Sequence, residues 1–183
     1  MRLCVAVIAL STIACVAPAA AAPSPADILS ANHAAMGGHA WDGKAVLKSE
    51  FNLSGMGLPG TATSIQDLRD GRSVTRYSMG PISGAQGYDG TDAWNQGATG
   101  TITVQKGGDA HEFAVNEAYR TAHLWWKPGF SGAAVTGGGQ KTADDGRYDV
   151  LTVTPQGGKP FEAWFDTKTH LLARTMEKQA PTR

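Results

Sequence analysis

The stretch Phe161-Glu162-Ala163-Trp164-Phe165-Asp166-Thr167-Lys168-Thr169-His170-Leu171-Leu172-Ala173-Arg174 constrains the fold more than any other. It reads as strand, tight polar turn, strand. Successive side chains of a strand point to opposite faces, so Phe161, Ala163 and Phe165 share one side and Glu162 and Trp164 the other. Asp166-Thr167-Lys168-Thr169 supplies side chains that bond their own backbone, as a turn needs. A two-stranded ribbon with this much aromatic surface is not stable alone in water. It requires a larger sheet with apolar groups against it.

The remaining segments supply that sheet and its cover. Ser24-Pro25-Ala26-Asp27 is a capping box with Pro at the first helical position, and Ile28, Leu29, Asn32, Ala35 and Met36 follow at helical spacing until Gly37-Gly38. The pattern predicts a helix over Pro25 to Met36. Lys44 to Leu53 alternates Ala45, Leu47, Ser49, Phe51 and Leu53 with Lys44, Lys48, Glu50 and Asn52, as a half-buried strand does. Ser54 to Gly60 reads as a flexible Gly-rich loop. Thr61 to Arg69 and Arg72 to Met79 form a hairpin about Asp70-Gly71, and Gly87 to Trp94 repeats the device around Asp89-Gly90. Thr101 to Gln105 is a short strand.

Periodicity then changes. Phe113, Asn116, Ala118, Tyr119, Ala122 and Trp126 predict a helix over Glu112 to Trp126, ended by Pro128-Gly129. Gly137-Gly138-Gly139 reads as a loop, Arg147 to Thr154 as a strand, and the terminal hairpin follows. Helix, consecutive antiparallel hairpins, helix and more strands imply an α+β fold: a curved antiparallel sheet with helices packed on its concave face.

The first 22 residues read as a signal peptide, with a positive start at Arg2, an apolar run Leu3 to Val16 and small residues Ala17 to Ala22. Export to the periplasm follows from that pattern. The competing reading is lipid anchoring through Cys15. Both cysteines, Cys4 and Cys15, lie in this leader, so the mature chain has no thiol and depends on an ordinary core. Residues 23–183 are enough for one domain. Removing Arg2 leaves a net charge of −1 with no basic run, which argues against nucleic acid as the main partner. The leader is too short and wrongly flanked for a membrane span.

Gly87-Tyr88-Asp89-Gly90 with Ala93-Trp94, Asn116-Glu117-Ala118-Tyr119-Arg120 with Trp125-Trp126, and Trp164-Phe165-Asp166 with Thr169 and Leu171-Leu172-Ala173-Arg174 resemble the N-terminal periplasmic domain preceding retropepsin-like aspartyl proteases in some proteobacterial proteins. The same hairpins are similar to the LolA/LolB/LppX group, which includes outer-membrane lipoprotein carriers. The resemblance spans roughly residues 26 to 178. It implies an unclosed β-barrel plugged by helices and an apolar cavity holding acyl chains. It also implies one of two contexts: a fragment of a longer aspartyl protease, or a shortened stand-alone half-barrel. No Asp-Thr/Ser-Gly is present, so it implies no protease activity in this chain.

Trp125, Trp126, Tyr119, Phe113 and Phe130 are the candidate cavity lining, with Met56 and Leu58 as a mobile flap; all seven also fit a plain core or surface role. The residues imply no cofactor and no metal. His33, His39, His111, His123 and His170 include no i, i+4 pair, and Glu112 and Glu117 are five apart on a helix. Gly129-Phe130-Ser131-Gly132-Ala133 departs from a hydrolase elbow at Ala133, and Gly139-Gln140-Lys141-Thr142 lacks the strand that leads into a phosphate loop. The sequence thus favours a non-catalytic module holding an apolar small molecule, lipid or lipopeptide. The alternatives are an accessory domain for a protease on the same native chain and a hydrolase using Ser131.

Overall fold

A computed structural model describes residues 22–177. The leader, with Cys4 and Cys15, lies outside the described residues. Helix α1 (Pro25–Ala35) opens the fold, and its capping box forms as the sequence predicts: Asp27 N–H donates to Ser24 Oγ at 3.2 Å, and Ser24 N–H donates to Asp27 Oδ2 at 3.1 Å. A 3-10 turn follows at Gly38–Trp41.

Six strands then run as an antiparallel meander: β1 (Val46–Gly55), β2 (Leu58–Asp67), β3 (Ser73–Met79), β4 (Ile82–Tyr88), β5 (Ala93–Gln96) and β6 (Ile102–Gln105). Helix α2 (Gly108–Thr121) leads into a 3-10 turn at Leu124–Trp126 and a tight turn at Pro128–Ser131, where Gly129, Phe130 and Ser131 have positive φ. Strands β7 (Ala133–Ala143), β8 (Gly146–Pro155), β9 (Phe161–Asp166) and β10 (Leu172–Glu177) form a second sheet in the order β10-β9-β8-β7. This is the expected α+β architecture of curved, unclosed antiparallel sheets with helices on their inner faces. Its strands divide between two sheets because α2 and its trailing turns interrupt the meander between β6 and β7.

The terminal hairpin behaves as its alternation requires. Phe161, Ala163 and Phe165 are buried, while Glu162, Trp164 and Asp166 are only partly covered. Asp166 Oδ1 accepts from the N–H groups of Lys168 and Thr169 and from the Thr169 hydroxyl, which closes the turn. Phe161 and Phe165 join Leu151, Val153, Ile28, Leu29, Leu68, Tyr119, Leu124 and Trp125 in one cluster. The core therefore lies between the four-stranded sheet, α1 and the chain just after α2. On the opposite face, Trp164 lies beneath Lys141 Nζ, 4.9 Å from its ring centre, and donates its indole N–H to Glu162.

Three local expectations are corrected. Ser54 to Gly60 is no loop: β1 and β2 pair up to Gly55 and Leu58, with Met56 (φ 50°) and Gly57 (φ 75°) as a two-residue turn. Positive φ at both central residues matches the twist of the strands. Gly137-Gly138-Gly139 lies inside β7, where the register against β8 shifts between Gly137 and Gln140. A Cβ on Gly138 would stand 3.0 Å from Val150 Cγ1, and Gly139 has φ 75°, so the bulge needs glycine twice. The helix expected over Glu112 to Trp126 starts at Gly108 and stops at Thr121, because His123 takes a left-handed conformation (φ 50°) and turns the chain.

Candidate ligand-binding site

Antiparallel partners that face one another share a side of the sheet, so register assigns the inner face of the six-stranded sheet. One row is Leu47, Gln66, Ser73, Tyr88, Ala93 and Gln105. The next is Ser49, Ser64, Thr75, Gln86, Asn95 and Thr103. Further out come Phe51, Ala62, Tyr77 and Gly84, then Leu53, Gly60, Met79 and Ile82, with Leu58 beside the β1–β2 turn.

Helix α2 packs across β4, β5 and β6 on this face and reaches β8. It is pinned to β2 by Gln66, whose Nε2 donates to the Ala118 carbonyl at 3.4 Å and to the Thr121 hydroxyl. Between helix and sheet lies an open cavity of about 400 Å³. Its floor is the polar part of the face: Ser64, Gln66, Ser73, Thr75, Gln86, Asn95 and Gln105. Its roof is Ala110, Phe113, Ala114, Glu117, Ala118 and Thr121. The two outer rows extend beyond the cavity as an apolar shelf. Phe51 is 49% exposed there, and Leu53, Leu58, Tyr77 and Met79 are half-buried.

The structure separates the seven expected site residues. Phe113 lines the large cavity and is 55% exposed. Leu58 lies on the shelf, and Met56, 79% exposed, sits at the tip of the β1–β2 hairpin. Trp125 is 2% exposed, wedged edge-on against Tyr119 and Phe165. Trp126 is held by Asn32, His33, Trp41 and His123, and Phe130 packs on the same core.

Tyr119 lines a second, smaller cavity of about 180 Å³, with Asp70, Tyr88 and Ser131. Burial pushes the Tyr119 phenol above its usual range, and its O–H donates to the Phe130 carbonyl. Gly129, Phe130, Ser131 and Gly132 all have positive φ, so the segment that Tyr119 holds is a short left-handed turn. Among the described residues no histidine lines this cavity beside Ser131.

The sequence singled out none of the polar floor residues. The available signal was register: pairing the strands about Asp70-Gly71 puts Ser64 and Gln66 on one face with Ser73 and Thr75.

Among the described residues no group of three or more His, Cys, Asp or Glu is placed to hold a metal ion. Among them no helix is long and apolar enough to cross a membrane.

The fold and cavity define an α+β protein with two unclosed antiparallel sheets, one sealed by a core and one open beneath a helix. Among solved structures it is similar to a DUF1329 family protein from Desulfovibrio piger, at a TM-score of 0.44 and 12% identity, covering 82% of this chain and 70% of that one. No protein-family model and no curated protein matches the chain.

Proposed function

We propose that this chain is an exported, non-catalytic binding module that holds an apolar or amphiphilic ligand, such as a lipid or lipopeptide, on the concave face of its six-stranded sheet. The observation that carries the reading is the shelf. Phe51, Leu53, Leu58, Tyr77, Met79 and Ile82 share one face in register, on the side where the cavity opens. The four-stranded sheet offers no such surface, because its inner face is filled by Trp125, Tyr119 and α1. The leader pattern supports export to the periplasm.

Burying an alkyl chain on such a surface contributes about 0.8 kcal/mol per methylene removed from water, so a chain of about ten methylenes contributes roughly 8 kcal/mol against the cost of association. The test is titration with N-phenyl-1-naphthylamine, an uncharged apolar fluorophore. The reading expects a saturable rise in emission that long-chain amphiphiles reverse. It also expects Phe51→Asp to weaken binding at least tenfold with an unchanged melting temperature, since Phe51 is half exposed. Absence of saturable binding contradicts it.

A further inference from the structure

The cavity under α2 is polar yet almost without charge. Among the described residues that line it, Glu117 is the only acidic or basic side chain, and it is paired with Arg120 on its own helix. Among the described residues no lysine or arginine lines it. A carboxylate, phosphate or sulfate entering this space would lose hydration and meet no counter-charge, which is costly. The same cost does not fall on neutral hydroxyls, which exchange water for amide and hydroxyl partners.

Those partners are available. Gln86, Asn95 and Gln105 come from three adjacent strands and face the cavity, and among the described residues none of their side-chain amides bonds to another. Gln66, by contrast, is committed to α2. Each free amide offers two N–H donors and a carbonyl acceptor, the combination that neighbouring hydroxyl groups of a sugar ring use. Phe113 adds an exposed ring from the roof, an apolar surface for the C–H face of such a ring.

We infer that the cavity takes an uncharged polyhydroxylated group, a glycan, with Gln86, Asn95 and Gln105 as its hydrogen-bonding floor and Phe113 against its apolar face. This rests on the concave-face reading above and adds the chemistry of the head to that of the tail. The glycan arrives either free or joined to an alkyl chain that lies along the shelf.

The experiment compares three amphiphiles with the same dodecyl-length tail, each below its micelle concentration, together with maltose alone, by isothermal titration calorimetry. The tails carry maltoside, phosphocholine or carboxylate heads. Dodecyl maltoside is expected to bind at least tenfold more tightly than the other two. The Gln86→Leu/Asn95→Leu double variant should lose that advantage while its carboxylate affinity stays within twofold. Gln105→Lys, which places a cation in the floor, should instead raise affinity for the carboxylate. Binding of maltose by itself supports the free glycan as ligand, and binding of the maltoside alone supports the glycolipid. Equal affinity for the three heads overturns the glycan assignment and leaves the concave-face reading standing. Failure of all three tails to bind overturns both.

Discussion

Trp126 donates its indole N–H to Asn32 Oδ1 at 3.0 Å, and the same Asn32 donates from Nδ2 to the His170 carbonyl at 2.9 Å. One buried amide thus joins α1, the turn after α2 and the β9–β10 turn. His123 stacks on Trp126 at 4.2 Å, and His33 and Trp41 meet its ring edgewise at 4.9 and 5.8 Å. Trp126, one of the seven residues the sequence offers as cavity lining, is the centre of an interlock. It ties α1 and the turn after α2 to the β9–β10 hairpin of the four-stranded sheet.

The interlock has a measurable coupling. Asn32→Ala strands the Trp126 N–H and the His170 carbonyl, and should cost about 2–3 kcal/mol of unfolding free energy. Trp126→Phe strands only the Asn32 oxygen and should cost about 1–2 kcal/mol. Because the two lesions share one bond, the double variant should fall short of their sum by about 1 kcal/mol in urea denaturation.

Two aromatic residues read alike in the sequence should part company on mutation. Trp125→Ala empties a fully packed site and should cost about 3–5 kcal/mol. Phe113→Ala removes a ring that is 55% exposed and should change stability by no more than about 1 kcal/mol while weakening ligand binding severalfold. Thermal melts and the fluorophore titration, run on both variants, separate the two roles.

Acid should loosen the interlock through His123. Burial, aided by the neighbouring His33 charge, lowers its pKa from 6.5 to about 4. The folded state then favours the neutral ring, while the unfolded chain takes up its proton first as pH falls. Stability from this group is therefore complete above pH 6.5 and is lost as pH falls from 6.5 to 4, by about 3 kcal/mol. His123→Asn keeps the left-handed backbone, which Asn tolerates, and removes the titration. Urea unfolding at pH 7 and pH 4.5 should show a smaller drop in that variant than in the natural chain.

What the sequence made legible was wherever parity or capping had a strict chemical cause. Phe161, Ala163 and Phe165 lie inward because one face of that hairpin is apolar and the other is not. The helix at Pro25 starts where its box of Ser24 and Asp27 requires. The helix after Gly108 was harder to place at both ends. Its start has no side-chain cap, and its end is made by His123 and not by a glycine. The Met56-Gly57 turn and the Gly137–Gly139 bulge share one cause of misreading: glycine marks both loops and strand irregularities, and only the partner strand distinguishes them. The cavity floor was illegible for a different reason. Where Ser64, Gln66, Ser73, Thr75, Gln86 and Asn95 face inward, hydropathy alternation carries no sign of inside and outside.

The most direct test of the concave-face account is to map where a ligand touches the protein. A dodecyl amphiphile with a diazirine along its chain is photolysed on the protein, and the adducts are located by mass spectrometry of peptides. The account predicts labelling of the β1–β4 inner face, at Phe51, Leu53, Leu58, Tyr77, Met79 and Ile82, with Phe113 beside it. Labelling confined to α1, Trp126 and Phe130, or spread evenly over both faces of the six-stranded sheet, would contradict it.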